Sequence, residues 1–328
     1  MIFKKIIKGE VLEFDIFSLK KRDKISLYHL VTKRINHLIY KKIQRIILNP
    51  KLRNVLKKLE IIFFKKNYKN IQLYNDYLIK KKNELKKNNF IFFDNLLKKE
   101  NISTLRNNFE NETNLVDVYT NNKNFSYKQK PKSARMGYIP TEKIFENECI
   151  LEAANNEKLV ALLNNYFGCK YSLDWIWAWW SFKSEKEDHG PQNFHRDYES
   201  LNFVKVFVYL TDVIDKKDGC HEFVLGSSHK NEFYKRQRFR KNDINKKFSN
   251  SIKKIFGNSG TTFIIDSFGI HRGVKPTSKD RLVLSLLYTV FPSNRSPKIP
   301  PLYFSNLKNK DLYSKNKYLN RLFINFDK

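Results

Sequence analysis

The residues best suited to chemistry lie in the short stretch Phe194-His195-Arg196-Asp197-Tyr198. Alternate side chains of a β-strand point to the same face, so His195 and Asp197 can hold one metal ion from one side while Arg196 points away. A third ligand must come from elsewhere in the chain, and the best candidate is His271. Two histidines and one carboxylate leave about three positions open on an octahedral ion, as in non-haem Fe(II) oxygenases. The sequence therefore predicts a catalytic iron site of these three residues.

Arg281 follows ten residues after His271 and begins a long apolar run. A guanidinium group binds a carboxylate through two parallel hydrogen bonds. A metal ion with open positions beside a buried Arg is what a chelating 2-oxo acid requires. We therefore predict that Arg281 is a catalytic residue that binds the cosubstrate.

Residues 86–292 resemble the phytanoyl-CoA dioxygenase family of Fe(II)/2-oxoglutarate-dependent oxygenases. The similarity covers about two thirds of the chain and excludes both ends. The motifs that carry it occur in the order of the family. They are His195-x-Asp197, the apolar run 204–213 with Gly219-Cys220, the turn Leu225-Gly226-Ser227-Ser228-His229-Lys230, and His271-Arg272-Gly273 with Arg281.

This resemblance implies a cofactor, a cosubstrate and a reaction. Fe(II) would be held by His195, Asp197 and His271, and Arg281 would pair with the distal carboxylate of 2-oxoglutarate, with O2 as the oxidant. Related halogenases lack the carboxylate ligand because a halide takes its place, so Asp197 implies hydroxylation. The predicted activity is a dioxygenase that hydroxylates an unactivated C–H bond.

All four tryptophans lie between residues 171 and 183. Their spacing predicts a strand with Trp175, Trp177, Trp179 and Ser181 on one face, and with Trp180 on the other. The first face either belongs to the core or lines the cosubstrate pocket. The resemblance makes Ser181 and Trp179 candidate cosubstrate contacts. His229 is interpreted as a structural residue.

Many short apolar runs predict a fold that is mainly β with flanking helices, in the form of a jelly roll. The resemblance implies the same architecture, a cupin-like double-stranded β-helix. Residues 110–148 and 229–256 are predicted as loops, and the segment after Pro300 as containing a short helix. Helices are predicted over 51–64, 70–88, 98–109 and 158–167, and strands over 90–94, 171–183, 202–211, 222–225, 260–267 and 281–291.

The chain is predicted to have three parts: a basic helical extension (residues 1–85), the oxygenase domain (86–295) and a C-terminal tail (296–328). Residues 24–49 repeat apolar side chains at helical spacing among lysines and arginines, and Pro50 should end this helix. Such a helix either packs on its own domain or lies on a membrane surface.

The formal net charge is +30, and residues 1–90 hold 24 Lys and Arg against 7 Asp and Glu. This excess indicates either an anionic partner or a coding bias towards Lys. The basic segment 229–256 is predicted to cover the active site, which favours an anionic or carrier-linked substrate. A different hypothesis is a basic protein that binds nucleic acid or an anionic membrane on a catalytically vestigial oxygenase fold.

The three cysteines, Cys149, Cys169 and Cys220, form no C-x-x-C motif, which fits a reducing compartment. No apolar run approaches the ~18 residues that a membrane span needs. We therefore expect a cytoplasmic protein without a transmembrane segment.

Overall fold

The computed structural model describes residues 2–7, 10–15, 47–65, 75–120, 122–235, 237–293, 295–297 and 299–327. The chain forms two compact units, residues 1–46 and 47–328. The first contributes an antiparallel strand pair, β1 (Ile2–Ile7) and β2 (Glu10–Asp15). The second contains all the predicted site residues. The helix predicted over residues 24–49 lies outside the described residues, apart from 47–49.

Three described helices of the second unit begin after an asparagine whose side chain accepts a hydrogen bond from a backbone N–H of the first turn. Asn49 accepts a hydrogen bond from the backbone N–H of Lys51 at 2.9 Å, and Pro50 occupies the first helical position. The described helices are α1 (Pro50–Phe64), α2 (Asp76–Asn88), α3 (Lys99–Glu110), α4 (Thr141–Phe145), α5 (Glu148–Ala154), α6 (Glu157–Phe167), α7 (Lys241–Phe248), α8 (Lys310–Lys315) and α9 (Lys317–Asn320).

The strands of the second unit are short, except for three long central ones. They are β3 (Phe90–Phe93), β4 (Leu115–Asp117), β5 (Asn122–Phe125), β6 (Met136–Tyr138), β7 (Ser172–Ser181), β8 (Phe203–Tyr209), β9 (His221–Val224), β10 (Ile252–Ile255), β11 (Thr262–Ile265), β12 (His271–Gly273), β13 (Arg281–Thr289), β14 (Leu302–Tyr303) and β15 (Ile324–Asn325).

Two antiparallel sheets build the site. The larger has the order β3-β11-β8-β13-β7-β6-β4-β5, and the smaller has the order β10-β9-β12. From β10 to β13, successive strands alternate between the two sheets, as expected of a jelly roll. The fold is therefore mainly β with flanking helices, a double-stranded β-helix, and this prediction is confirmed.

The alternation of side chains along the long strands separates the core from the cavity. On β8, Val204, Val206 and Val208 pack into the main hydrophobic core with the helices, so Lys205 and Phe207 point to the other side. The same pattern on β13 turns Arg281 and Ser285 towards the cavity, while Leu282, Leu284 and Leu286 join the core.

Helix α1 buries polar residues and exposes apolar ones. Arg53 and Glu60 are buried, and Lys57 forms a 3.2 Å ion pair with the buried Asp266. The exposed apolar stripe of α1 consists of Leu52, Val55, Leu59, Ile62 and Phe63. The helix therefore contacts the rest of the second unit through buried charged side chains, together with Ile61 and Phe64, which pack against the main core.

Two segments predicted as loops contain regular structure. Residues 110–148 include β4, β5, β6 and α4, and residues 229–256 include α7 and β10. Both loop predictions are wrong for these parts, because three- and four-residue strands show no measurable periodicity in a sequence. The helices predicted over 51–64, 98–109 and 158–167 are confirmed within a few residues at their ends, as is a short helix after Pro300. The helix predicted over 70–88 is present from Asp76, and residues 70–74 lie outside the described residues.

The predicted division at residue 85 remains a prediction. Helix α2 contributes Leu78 and Leu85 to the main hydrophobic core, and the second compact unit begins at Ile47. Among the described residues, no helix combines the length and apolar character that crossing a bilayer requires.

Candidate metal centre and cosubstrate site

The backbone itself brings the two predicted histidine ligands together. His195 and His271 form an antiparallel bridge in which each N–H donates to the carbonyl of the other, at 2.9 and 3.0 Å. The N–H of Asp197 donates to the carbonyl of Ser267 at 2.9 Å, two residues beyond His195 but four before His271, so the regular pairing ends at the histidines. The spacing of two residues therefore places the Asp197 carboxylate beside both rings.

The three side chains converge as one ligand set. His195 Nε2 lies 3.6 Å from Asp197 Oδ1, and His271 Nε2 lies 3.4 Å from Asp197 Oδ2. The candidate ligand atoms all lie within 4.8 Å of one another. Atoms bound at about 2.0–2.2 Å to one ion are separated by roughly 3 Å, so small side-chain rotations would suffice.

Each histidine presents a lone pair to this point. His195 Nδ1–H donates to the carbonyl of Asn193, and His271 Nδ1–H donates to that of Gly269, both at 2.9 Å. These bonds place the proton on Nδ1 and leave Nε2 free, the tautomer that metal-ligating histidines need. Burial, together with the neighbouring His271, lowers the pKa of His195 to about 3, so its ring is neutral.

The Asp197 carboxylate is ionised because it has a buried cation beside it. Burial alone would oppose ionisation, but the Lys205 ammonium and the two imidazoles hold the pKa of Asp197 well below its usual range. Lys205 Nζ lies 2.8 Å from Asp197 Oδ2 and 3.5 Å from Glu199 Oε1. The set of two neutral nitrogens and an anionic oxygen matches the preferences of Fe(II).

Arg281 is buried on β13 and only partly bonded. Its Nη2 donates to Ser181 Oγ at 3.0 Å, while Nε and Nη1 have no hydrogen-bond partner among the described residues. His271 and Arg281 lie on β12 and β13, which follow one another in the chain but belong to different sheets. The two residues still face the same cavity, since a Cβ at Gly273 would lie 3.2 Å from Arg281 Nη2.

The cavity has a volume of about 750 Å³ and contains all four predicted catalytic residues. The tryptophan strand is confirmed as β7, with Trp175, Trp177, Trp179 and Ser181 on the cavity wall. Trp180, on the opposite face, packs into the core. One face of the strand therefore lines the pocket, and the other belongs to the core. Contacts of Ser181 and Trp179 with the cosubstrate remain a prediction.

Several further polar residues line the cavity, including five that were not predicted as site residues. Two of them could have been recognised in the sequence. Lys205 is a lone lysine inside an apolar strand, and Glu199 follows Asp197 at the same spacing of two residues that separates Asp197 from His195. The five are Lys205, Glu199, Arg295, His221 and Ser285.

Two neighbouring residues have structural roles. Arg196 points away from the metal ligands and donates to five backbone carbonyls, which fixes the segment 227–233 and the turn at Phe268. His229 Nε2 lies 3.1 Å from the carbonyl of Lys86 and from Asn89 Nδ2. The interpretation of His229 as structural fits these contacts.

The basic segment 229–256 reaches the cavity only in part. Gln237 and Arg238 line it, whereas α7 packs against Phe194 and Phe239, and β10 pairs with β9. Arg236 lies outside the described residues, and the exposed Arg240 directly precedes α7 without lining the cavity.

The fold is shared with known enzymes. The structure resembles the non-heme alpha ketoglutarate dependent epimerase SnoN from nogalamycin biosynthesis, with a TM-score of 0.50 and 16% identity over 65% of this chain and 81% of that one. It also resembles HygX from Streptomyces hygroscopicus, solved with nickel and 2-oxoglutarate (TM-score 0.46, 16% identity, 68% of this chain and 88% of that one). A third similar structure is EctD from S. alaskensis with bound Fe (TM-score 0.48, 13% identity, 66% and 79% of the two chains).

Sequence comparison adds nothing to this likeness. No family model matches the chain, and no curated protein does. Membership of the phytanoyl-CoA dioxygenase family therefore remains a prediction.

Proposed function

We propose that this protein is an Fe(II)/2-oxoglutarate-dependent dioxygenase that hydroxylates a C–H bond of a small or carrier-linked substrate. One observation carries the proposal: His195, Asp197 and His271 converge in the same cavity as the incompletely bonded Arg281. Similar structures were solved with a metal and this cosubstrate together, HygX with nickel and 2-oxoglutarate and SnoN with Fe3+ and alpha ketoglutarate. In this chain, the three ligands would hold Fe(II).

The cosubstrate site follows from the charge of Arg281. A buried cation without an anionic partner is costly, and the unbonded Nε and Nη1 leave a donor for a carboxylate on each of the two edges of the guanidinium. A dicarboxylate fits because one end would chelate the metal while the other reaches Arg281. Ser181 would orient the guanidinium through its hydrogen bond.

The chemistry would be supplied by the bound group and directed by the protein. Fe(II) with 2-oxoglutarate and O2 gives the oxidising power to convert C–H to C–OH, with succinate and CO2 as the other products. The imidazoles of His195 and His271 remain neutral ligands, held in that form by their Nδ1 hydrogen bonds. The aromatic wall of Trp175 and Trp177 would limit water access and position the substrate.

The cavity wall supports an anionic substrate. Lys205 is paired with Asp197, Arg295 Nε with Glu199 Oε2 at 3.1 Å, and Arg281 would bind the cosubstrate. Arg238 then remains as a cavity-lining cation with no acidic partner among the described residues. Because one-signed charge concentrates oppositely charged ligands, we propose a phosphate, carboxylate or acidic glycan on the substrate.

Metal and cosubstrate titrations test the activity itself. Under anaerobic conditions, calorimetry should show one Fe(II) bound per chain and then 2-oxoglutarate, and aeration should release succinate. Asp197→Ala should abolish the first step. A wild-type protein that binds neither would contradict the proposal.

The same preparation addresses the hypothesis of a nucleic-acid- or membrane-binding protein. Phosphate neutralisation on duplex DNA gives a log–log salt slope near −0.9 per contact. Strong, salt-dependent DNA or vesicle binding without metal binding would favour that hypothesis. For the substrate, Arg238→Glu should raise KM and remove the dependence of kcat/KM on ionic strength once a turnover assay exists.

A further inference from the structure

Lys205 is an unusual residue for its position. It lies in the middle of β8, where all seven residues are buried, and β8 is paired on both sides by β11 and β13. A buried ammonium is costly unless it is paired. The partner that explains its presence is Asp197, 2.8 Å away.

The surroundings hold the ammonium in place. Its Nζ lies 3.5 Å from Glu199 Oε1 and 5.2 Å from the centre of the Trp177 ring. Glu199 is itself held by Arg295. Lys205 is therefore a hydrogen-bond donor whose position is fixed by its strand and by these contacts.

The bond from Lys205 occupies one of the two carboxylate oxygens of the metal ligand. Within the described part of the chain, Lys205 is the side chain that donates to the carboxylate of Asp197. A carboxylate that takes a metal through both oxygens uses two coordination positions, whereas one that binds through a single oxygen uses one. With single-oxygen binding, about three coordination positions of the ion remain open, and with binding through both oxygens about two remain.

We propose that Lys205 is a positioning residue that restricts Asp197 to one metal–oxygen bond and so keeps open the position that O2 needs beside a chelating 2-oxo acid. This inference rests on the proposed function. It goes beyond the proposed function by assigning a role to Lys205, which is not one of the three predicted metal ligands.

The number of water molecules on a bound Mn(II) ion tests the inference without any turnover. The full chain, stripped with chelator and loaded with Mn(II), should show about three rapidly exchanging waters by water-proton relaxation. Lys205→Met should show about two, with Mn(II) affinity unchanged or tighter because a nearby positive charge is removed. Its affinity for 2-oxoglutarate should fall at least tenfold.

Two matched variants separate this effect from general damage. Glu199→Gln leaves the Lys205–Asp197 pair intact and should keep three waters. Lys57→Met breaks another ion pair with a buried aspartate, the one with Asp266, and should also keep three waters. Lys205→Arg retains the charge and should resemble the wild type.

The outcomes are separable. If the wild-type protein binds Mn(II) with only two exchanging waters, the inference is wrong. This measurement needs no variant, so the inference can be tested even if Lys205→Met does not fold. A Lys205→Met protein with three waters and unchanged 2-oxoglutarate affinity would also overturn it. If the wild type binds no Mn(II), Co(II) or Fe(II), the proposed function fails, and this inference fails with it.

Discussion

Among single residues, Arg281 is expected to affect 2-oxoglutarate binding most strongly when it is replaced. Its Nε and Nη1 are buried and have no described partner, so an incoming carboxylate would meet a desolvated cation. Arg281→Ala should weaken 2-oxoglutarate binding by about 2–5 kcal/mol, which is roughly thirtyfold or more. Metal affinity should change little, because the ligand set is untouched. Anaerobic calorimetry measures both constants on one sample.

Ser181→Ala is the graded control for that measurement. It removes one hydrogen bond from Arg281 Nη2 and should cost about 1 kcal/mol of 2-oxoglutarate affinity. If Arg281→Ala binds 2-oxoglutarate as well as the wild type does, another cation receives the distal carboxylate. Arg295 would then be the next residue to change, because it lines the same cavity.

At the residue scale, local alternation made the convergence of the predicted metal ligands foreseeable. The spacing of His195 and Asp197 fixes a shared face in any strand, and the structure places them together. Lys205 and Arg295 escaped prediction because their importance depends on tertiary pairing, which joins positions that no local pattern connects. His221 faces the cavity because Gly273 lies opposite it on β12, a register that a sequence does not reveal.

Among the elements, α1 departs most from an ordinary amphipathic helix. Lys57 on its inner face forms an ion pair with Asp266, which is buried just before the turn that leads to His271. Lys57→Met should lower the free energy of unfolding by about 3 kcal/mol, because it leaves a buried carboxylate without its cation. Chemical denaturation followed by circular dichroism measures this value.

The double variant provides the check on that mechanism. Lys57→Met with Asp266→Asn removes both charges and should recover much of the lost stability. If the single variant is as stable as the wild type, the ion pair contributes little and α1 is held by its other contacts. Those contacts include Arg53, whose Nη2 donates to the carbonyl of Ser200 at 2.8 Å.

Truncation tests where the catalytic unit begins. A protein that starts at Ile47 should fold and bind metal, because it retains the whole second compact unit. A protein that starts at Lys86 loses the ion pair of Lys57 and the core residues Leu78 and Leu85, so it should be less stable or insoluble. Thermal melting and metal titration of both proteins give the answer. Equal behaviour would support the predicted boundary at residue 85.

Element prediction succeeded where periodicity extended over enough residues. Helices α1 and α6 and strand β7 follow from apolar spacing and capping residues, and all three are present. The side of α1 that packs inward could not be predicted, since the apolar stripe Leu52, Val55, Leu59 and Ile62 faces outward. Burial of Arg53 and Glu60 depends on partners that lie far away in the sequence.

For the whole molecule, metal binding should appear as a gain in stability. A ligand that binds only the folded state stabilises it by about 2.7 kcal/mol at a concentration of 100 times Kd. For the full chain, saturating Co(II) should therefore raise the melting temperature by several degrees, and chelator should reverse the change. Asp197→Ala should melt at the same temperature with and without Co(II). Equal responses of the two proteins would mean that the ion binds elsewhere.

The direct backbone pairing of His195 with His271 has a kinetic consequence for metal exchange. Bringing together two chain positions this far apart carries a loop-closure cost that grows with the logarithm of the separation. Here, the fold has already met that cost through two backbone hydrogen bonds, before any ion arrives. Loading and unloading should therefore proceed at the rate at which an ion sheds its hydration water and diffuses into the cavity, without a slow folding phase. Under such conditions, the ion found in the site reflects which metals the surroundings supply as much as which one the ligands prefer.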